Sequence, residues 1–284
     1  MKPATKHLLI SIFAPILLVA LLYSGLWGYS YYVIQNEVQE FKEDLAEDNI
    51  LFSFKDLKIE GFPGQVHATL NEAEIFHVQL GVKIDIPEIS LEFWPLPGRK
   101  ASLQSNVVQI KDEMNDISIA EIKDISASGT LPLFELWDGS HRFKNTIQSI
   151  EIDNNVPFLL DRKITDIELD FKINEAEQFI HLNHFSLLWR DMTVTVDGSA
   201  RIDEKSKVQG QFSTLFDNYA PFLEDLKSKT RLPNNIQIGL GAVTLLSQEK
   251  DGIYSFGTPL TITDNKVRLG VFELGVIQLD LSDE

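Results

Sequence analysis

The chain has 284 residues, no cysteine, and 42 acidic against 25 basic side chains, a formal net charge of −17. That acidity repels nucleic acid and anionic bilayer surfaces, and no run of Lys or Arg reverses it locally. Disulfide, zinc–thiolate and iron–sulfur sites are excluded, and a 44% hydrophobic content excludes a disordered tail.

The first element is an apolar run, LLISIFAPILLVALLYSGLWGYSYYVI, residues 8–34, without one charged side chain. A bilayer core needs about 20 apolar residues of helix. Leu8, Leu18 and Leu22 then lie in hydrocarbon, and Trp27 and Tyr32 belong to an aromatic belt at the outer interface. Lys2 and Lys6 precede the run, while Glu37, Glu40, Glu43 and Asp44 follow it. The positive-inside rule keeps the N-terminus cytoplasmic and places the bulk of the chain outside. Residues 1–34 therefore read as a cytoplasmic tip and transmembrane anchor. A cleaved signal peptide is the rival reading. It needs a small residue at −3, and cuts after Ser24, Gly25 or Gly28 put Leu22, Tyr23 or Leu26 there. A core helix of a soluble domain is the third reading.

Residues 35–49 follow as a juxtamembrane helix or stalk, with Val38, Phe41 and Leu45 at i, i+3 and i+7 among acids. From Ile50 the apolar period becomes two. Residues 50–284 are expected to form a β-rich domain, either whole or as halves 50–138 and 139–284 joined near Pro132–Lys144. Val82, Ile84 and Ile86 alternate, and Ile89, Leu91 and Phe93 alternate on the other parity. The switch at Pro87-Glu88 predicts a bulge or kink, since Pro cannot donate to a ladder. Further runs are Ile167–Ile173, Ile180–Leu182, Phe185–Trp189, Met192–Val196, Ile236–Leu245 and Val267–Val271. Turn signals stand at Asp138-Gly139, Asp197-Gly198, Asp251-Gly252 and Asp264-Asn265. The predicted class is mainly β: a transmembrane helix, then an elongated, twisted antiparallel sheet with one or two short amphipathic helices packed on it.

The helical exception is Thr214–Lys229. Leu215, Phe216, Tyr219, Phe222, Leu223 and Leu226 form one stripe, interrupted by Pro221. It covers a face of the sheet or acts as a lid over an apolar groove.

Motifs for chemistry are sparse. No P-loop, GxGxxG or GxSxG sequence occurs, and Ser140 and Ser199, each after Asp-Gly, read as turn residues. His181 and His184 are three apart in a strand, which sends the rings to opposite faces and argues against a shared metal. His67 and His77 flank an apparent turn. No metal and no cofactor is expected. Two motifs stand out for shape: Gly61-Phe62-Pro63-Gly64 and Trp94-Pro95-Leu96-Pro97-Gly98. Each is either a tight turn with a capping aromatic or the open end of a β groove.

Gly61-Phe62-Pro63, Trp94-Pro95, Trp189-Arg190-Asp191-Met192 and the C-terminal run Pro259–Gly275 together resemble an uncharacterised membrane-anchored envelope family of alphaproteobacteria, a domain of unknown function. The resemblance extends over nearly the whole exported part. The chain departs from the family's usual form at Asn265, where Gly is expected after the Asp, but Asn holds the same left-handed turn. The family carries no catalytic residues to transfer. Its β-rich shape is similar to AsmA-type envelope proteins, which are associated with lipid handling.

The expectation is a single-pass inner-membrane protein with a periplasmic domain that binds a lipid or other apolar ligand in a β groove. Phe62, Trp94, Leu215, Tyr219 and Phe222 are its candidate contacts. A non-catalytic scaffold or assembly partner for another envelope protein is the alternative, and a carboxylate-pair hydrolase is the third.

Overall fold

A computed structural model of the protein describes residues 3–96, 100–130, 140–153, 163–174, 178–203, 207–229, 247–250, 252–270 and 272–277. Helix α1 (Pro3–Glu47) runs unbroken through both the apolar segment and the acidic segment behind it. Then come β1 (Ile50–Ser53), β2 (Asp56–Glu60), β3 (Val66–His77), β4 (Val82–Phe93), β5 (Lys100–Asp112) and β6 (Ile117–Thr130). After them follow β7 (Ser140–Ile152), β8 (Lys163–Asn174), β9 (Phe179–Trp189), β10 (Met192–Ile202) and β11 (Val208–Asp217). Helix α2 (Ala220–Lys229) precedes β12 (Gln248–Lys250), β13 (Ile253–Thr263), β14 (Lys266–Leu269) and β15 (Phe272–Val276). The chain is mainly β, as its alternation predicts.

The strands form one open antiparallel sheet, ordered β1-β3-β4 onward in sequence to β11, then β13-β14-β15, with β2 on β3 and β12 on β13. β6 pairs with β7 (Ile122 opposite Ile150), so residues on both sides of 131–139 share this sheet. Residues 140–144 of the predicted join are strand. Asp138-Gly139 and the run Ile236–Leu245 lie outside the described residues.

Helix α1 covers the β3–β4 side of the sheet. Ile34 is buried with Val66, Ala68, Phe93 and Ala101. Val38 and Leu45, two members of the predicted stripe, pack over Phe52, Leu70 and Ala73, and Phe41 meets Phe52 edge-on at 5.5 Å. Helix α2 covers the far side, where Tyr219 and Leu223 bury with Met192.

Several expectations are corrected. The predicted helix Thr214–Lys229 starts only at Ala220, because β11 runs on to Asp217. Leu215 is therefore a strand residue, and Pro221 sits in the first turn of α2, where its missing N–H costs nothing. Asp197-Gly198 is not a turn but the middle of β10, and Ser199 is paired strand opposite Gln211 and His181. Ser140 opens β7. His67 and His77 do not flank a turn; both lie in β3. Asp264-Asn265 is a two-residue hairpin turn with both φ positive (50° and 67°), closed by Thr263 opposite Lys266. Asn265 takes the left-handed conformation that Gly would.

Candidate functional site: the apolar face of the sheet

The parity switch at Pro87 belongs to a line that crosses six strands. Pairing skips Glu72 opposite Pro87, Asn106 opposite Asp124, Asp124 opposite Gln148 and Gln148 opposite Asp166, with the same register on either side. Glu72, Asp124 and Asp166 each hold φ near +50°. Because both partners of every pair skip together, register survives while each strand changes parity. Inward residues become Leu70 then Ala73, Ile122 then Ile125, Ile147 then Ile150, and Ile164 then Ile167. One face therefore stays largely apolar along the strands despite the crease, with Ser105, Asn145 and His141 as its polar members.

At its two sides this face is roofed by α1 and α2. Between them, over β5–β8, the described residues provide no helix. Ile122, Ile125, Ile147, Ile167, Leu169 and Phe171 are there only half-buried. Phe143 and Phe171 stack at 5.2 Å between centroids within this strip. Sequence reading named none of β5–β7. The available signal was the apolar spacing of three that interrupts each alternating run.

The opposite face is polar and stitched by ion pairs within and across strands. Lys83 and Lys111 reach Asp85 at 3.1 and 2.7 Å, and Lys123 reaches Glu121 at 2.9 Å. Asp170 receives both Arg142 Nε and Nη2 (2.9 and 2.7 Å), Asn183 Nδ2 (3.0 Å) and Lys144 Nζ (3.4 Å). The Arg142 guanidinium foremost, then Asn183 and Lys144, holds the Asp170 carboxyl well below the usual carboxylate range, against the opposing effect of its burial. A lowered pKa adds stability that is present above the unfolded value, about 3.9, and lost as pH falls through it toward the folded one. Asp170→Asn is expected to cost about 1–2 kcal/mol at pH 7 and to flatten the loss of stability below pH ~4. Urea midpoints measured from pH 7 to 3 check both. Near the crease the polar face holds a depression of about 290 Å³, lined by Lys123, Gln148, Ser149, Glu151, Lys163, Thr165 and Asp166. Lys123 and Lys163 both already face Glu151.

The structure scatters the predicted contacts. Phe62 is 55% exposed in the loop before β3 and meets Trp27 edge-on at 5.6 Å. Gly61 holds φ +111°, and a Cβ there would lie 1.9 Å from the Gln65 carbonyl oxygen, so the loop needs glycine. Trp94 is 45% exposed at the end of β4, the same end of the sheet. Leu215 projects from the polar face, since its neighbours Thr214 and Phe216 take the apolar one beside Val196 and Val194. Tyr219 is buried, and Phe222 packs on Trp189 at 5.0 Å, so both belong to the seat of α2. Of the anchor residues, Leu18 and Leu22 are exposed, Tyr32 is exposed, and Trp27 packs on the sheet; the Leu8 side chain lies outside the description.

His181 and His184 do not point to opposite faces. Val196 pairs with Phe185 and Gly198 with Leu182, so β9 carries one extra residue between the two histidines. The bulge restores them to one face, opposite Lys172 and Asp170. Even so, no group of three or more potential ligands gathers among the described residues.

Comparison with known families adds one assignment. Residues 140–278 match the family described as an uncharacterized protein conserved in bacteria, DUF2125. No curated protein matches the chain. The DUF2125 region runs from β7 to β15 and includes Trp189–Met192 and the Pro259–Gly275 run. Gly61-Phe62-Pro63, Trp94-Pro95 and the buried clusters described against α1 lie outside it, so the match is narrower than the resemblance implied. The domain of unknown function is borne out. Its alphaproteobacterial and AsmA-type associations are not part of the match.

Proposed function

We propose that this is a single-pass, membrane-anchored envelope protein whose sheet binds the acyl part of a lipid on its apolar face, with the bulk of the chain in the periplasm. The observation that carries the reading is the half-covered strip over β5–β8, apolar on both sides of the crease and bounded by two helix-covered zones. A partly open apolar strip is where an apolar ligand would lie, and in this chain it belongs to the same sheet that grips an apolar helix. That helix, α1, is long and apolar enough to cross a membrane. Tyr23 and Trp27 tie it to the sheet, which favours retention over cleavage. The role involves binding without a catalytic step.

Full-length protein in liposomes containing a phospholipid with a photoactivatable acyl chain tests this. Adducts are expected on peptides of β5–β8, and adducts confined to α1 would overturn the acyl-binding reading. The full chain is required. A truncation at residue 36 removes Trp27, Ser30 and Ile34, which the sheet buries or packs against.

A further inference from the structure

We infer that the bilayer surface lies at Tyr23, and that the Gly61–Gly64 loop, with Phe62 and Trp94, rests on it as a second attachment point beside the helix. Leu17, Leu18, Val19, Leu21 and Leu22 are 58–66% exposed, with no sheet over them. One turn later the environment changes. The Tyr23 hydroxyl donates to the Gly64 carbonyl at 2.9 Å, Trp27 packs on Phe62, Ser30 is fully buried and Ile34 is nearly so. A sheet whose outer face carries ion pairs cannot sit at the depth of hydrocarbon, where its polar groups lose water. Hydrocarbon therefore ends where the sheet begins to cover the helix. The uncharged helix from Leu8 to Leu22, at 1.5 Å per residue, gives about 22 Å, shorter than a bilayer core of about 30 Å, a mismatch that local thinning of the bilayer meets.

The strands beside α1 then end at the membrane. Val66 starts β3 opposite Phe93, which ends β4, so the Gly61–Gly64 loop and Trp94 share this end. Neither Gly61–Gln65 nor Trp94–Leu96 contains a charged residue, and each presents an exposed aromatic. The opposite ends of the same strands adjoin Glu47, Asp48, Asp112, Glu113 and Asp116. An end that presents two exposed aromatics, with Glu60 and Lys100 at its edge, facing the interface and an acidic end facing water match the preferences of a bilayer surface. The contact is apolar, because an acidic domain gains nothing from anionic headgroups. This placement lifts Tyr32 about 14 Å along the helix above the surface, out of the aromatic belt that the sequence alone suggested.

The absence of cysteine makes the test direct. Single variants Leu22→Cys, Tyr32→Cys, Phe62→Cys and Met114→Cys of the full chain, each with a nitroxide label, are placed in phosphatidylcholine nanodiscs. Collision with oxygen and with a water-soluble nickel chelate reports depth. The expected order places Leu22 in hydrocarbon, Phe62 at the interface, and Tyr32 and Met114 in water, unchanged at high salt. A Phe62 label as accessible to nickel as the Met114 label, or a Tyr32 label as shielded as Leu22, overturns the inference. All four positions are exposed, so labelling leaves the core untouched. The inference rests on the anchor, not on the acyl-binding strip. Absence of acyl adducts on β5–β8 with Phe62 at the interface would sink only the latter.

Discussion

Phe93→Ala is expected to destabilise the α1 side of the sheet by about 3–5 kcal/mol. Phe93, on β4, is 1% exposed and packs in the cluster that joins Ile34 of α1 to Val66 and Ala68 of β3 and Ala101 of β5. Truncating it removes a large apolar group and opens a cavity beneath a helix. The helix cannot settle into that space without lifting Trp27 and Val38 from their own contacts. Phe62→Ala, at the same end of the sheet, is the matched comparison. Its ring is more than half exposed and its main contact is edge-on to Trp27, so the expected cost is about 0.5–1.5 kcal/mol. Hydrogen exchange of full-length protein in micelles checks both. Phe93→Ala should raise exchange throughout β3–β5 while β9–β13 hold their protection. Equal effects from the two variants would mean that α1 is not seated on the sheet.

The elements that sequence reading found are those in which large apolar residues alternate in readable runs, uninterrupted as in β8 or on both sides of a break as in β4 and β9. Ile167, Leu169, Phe171 and Ile173 alternate without a break, and β8 is where they stand. The apolar helix was legible as one uncharged run, but not its end. Leu22 and Trp27 both belong to the uncharged run, and only the sheet that packs on Trp27 separates exposed from covered turns. β5 and β7 were missed because the crease divides each into runs too short to read alone, Ala101 to Ser105 and Val108 to Ile110 in β5. Their coherence appears only when the skipped residues of adjacent strands are laid side by side. Leu215 went to the wrong element because a strand residue followed by an amphipathic helix extends the helical stripe by chance. For the candidate site, the exposed aromatics Phe62 and Trp94 were legible as shapes. The apolar strip over β5–β8 was not, because it is a property of strand registry.

Gly198→Ala is expected to cost about 3 kcal/mol or more, through strain and overpacking together. The Asp197-Gly198 pair carries the signal of a hairpin turn, yet it lies inside β10 opposite the bulge of β9. Gly198 holds φ +152°, and a Cβ there would stand 2.4 Å from the Gln211 carbonyl oxygen and 2.5 Å from Phe212 Cα. Both are backbone atoms of β11, so no side chain can turn aside to relieve the contact. Strand β10 must move away from β11, or the bulge that places Leu182 and Phe185 on the apolar face must be lost. Gly257→Ala in β13 controls for glycine replacement as such. Its nearest atom is the Thr214 carbonyl oxygen at 3.7 Å, an ordinary contact, and the expected change is within about 1 kcal/mol. Urea unfolding followed by hydrogen exchange of β9–β11 measures the pair. A Gly198→Ala protein with wild-type protection in those strands would show that β10 can rise off β11 at little cost, and that the bulge does not depend on glycine.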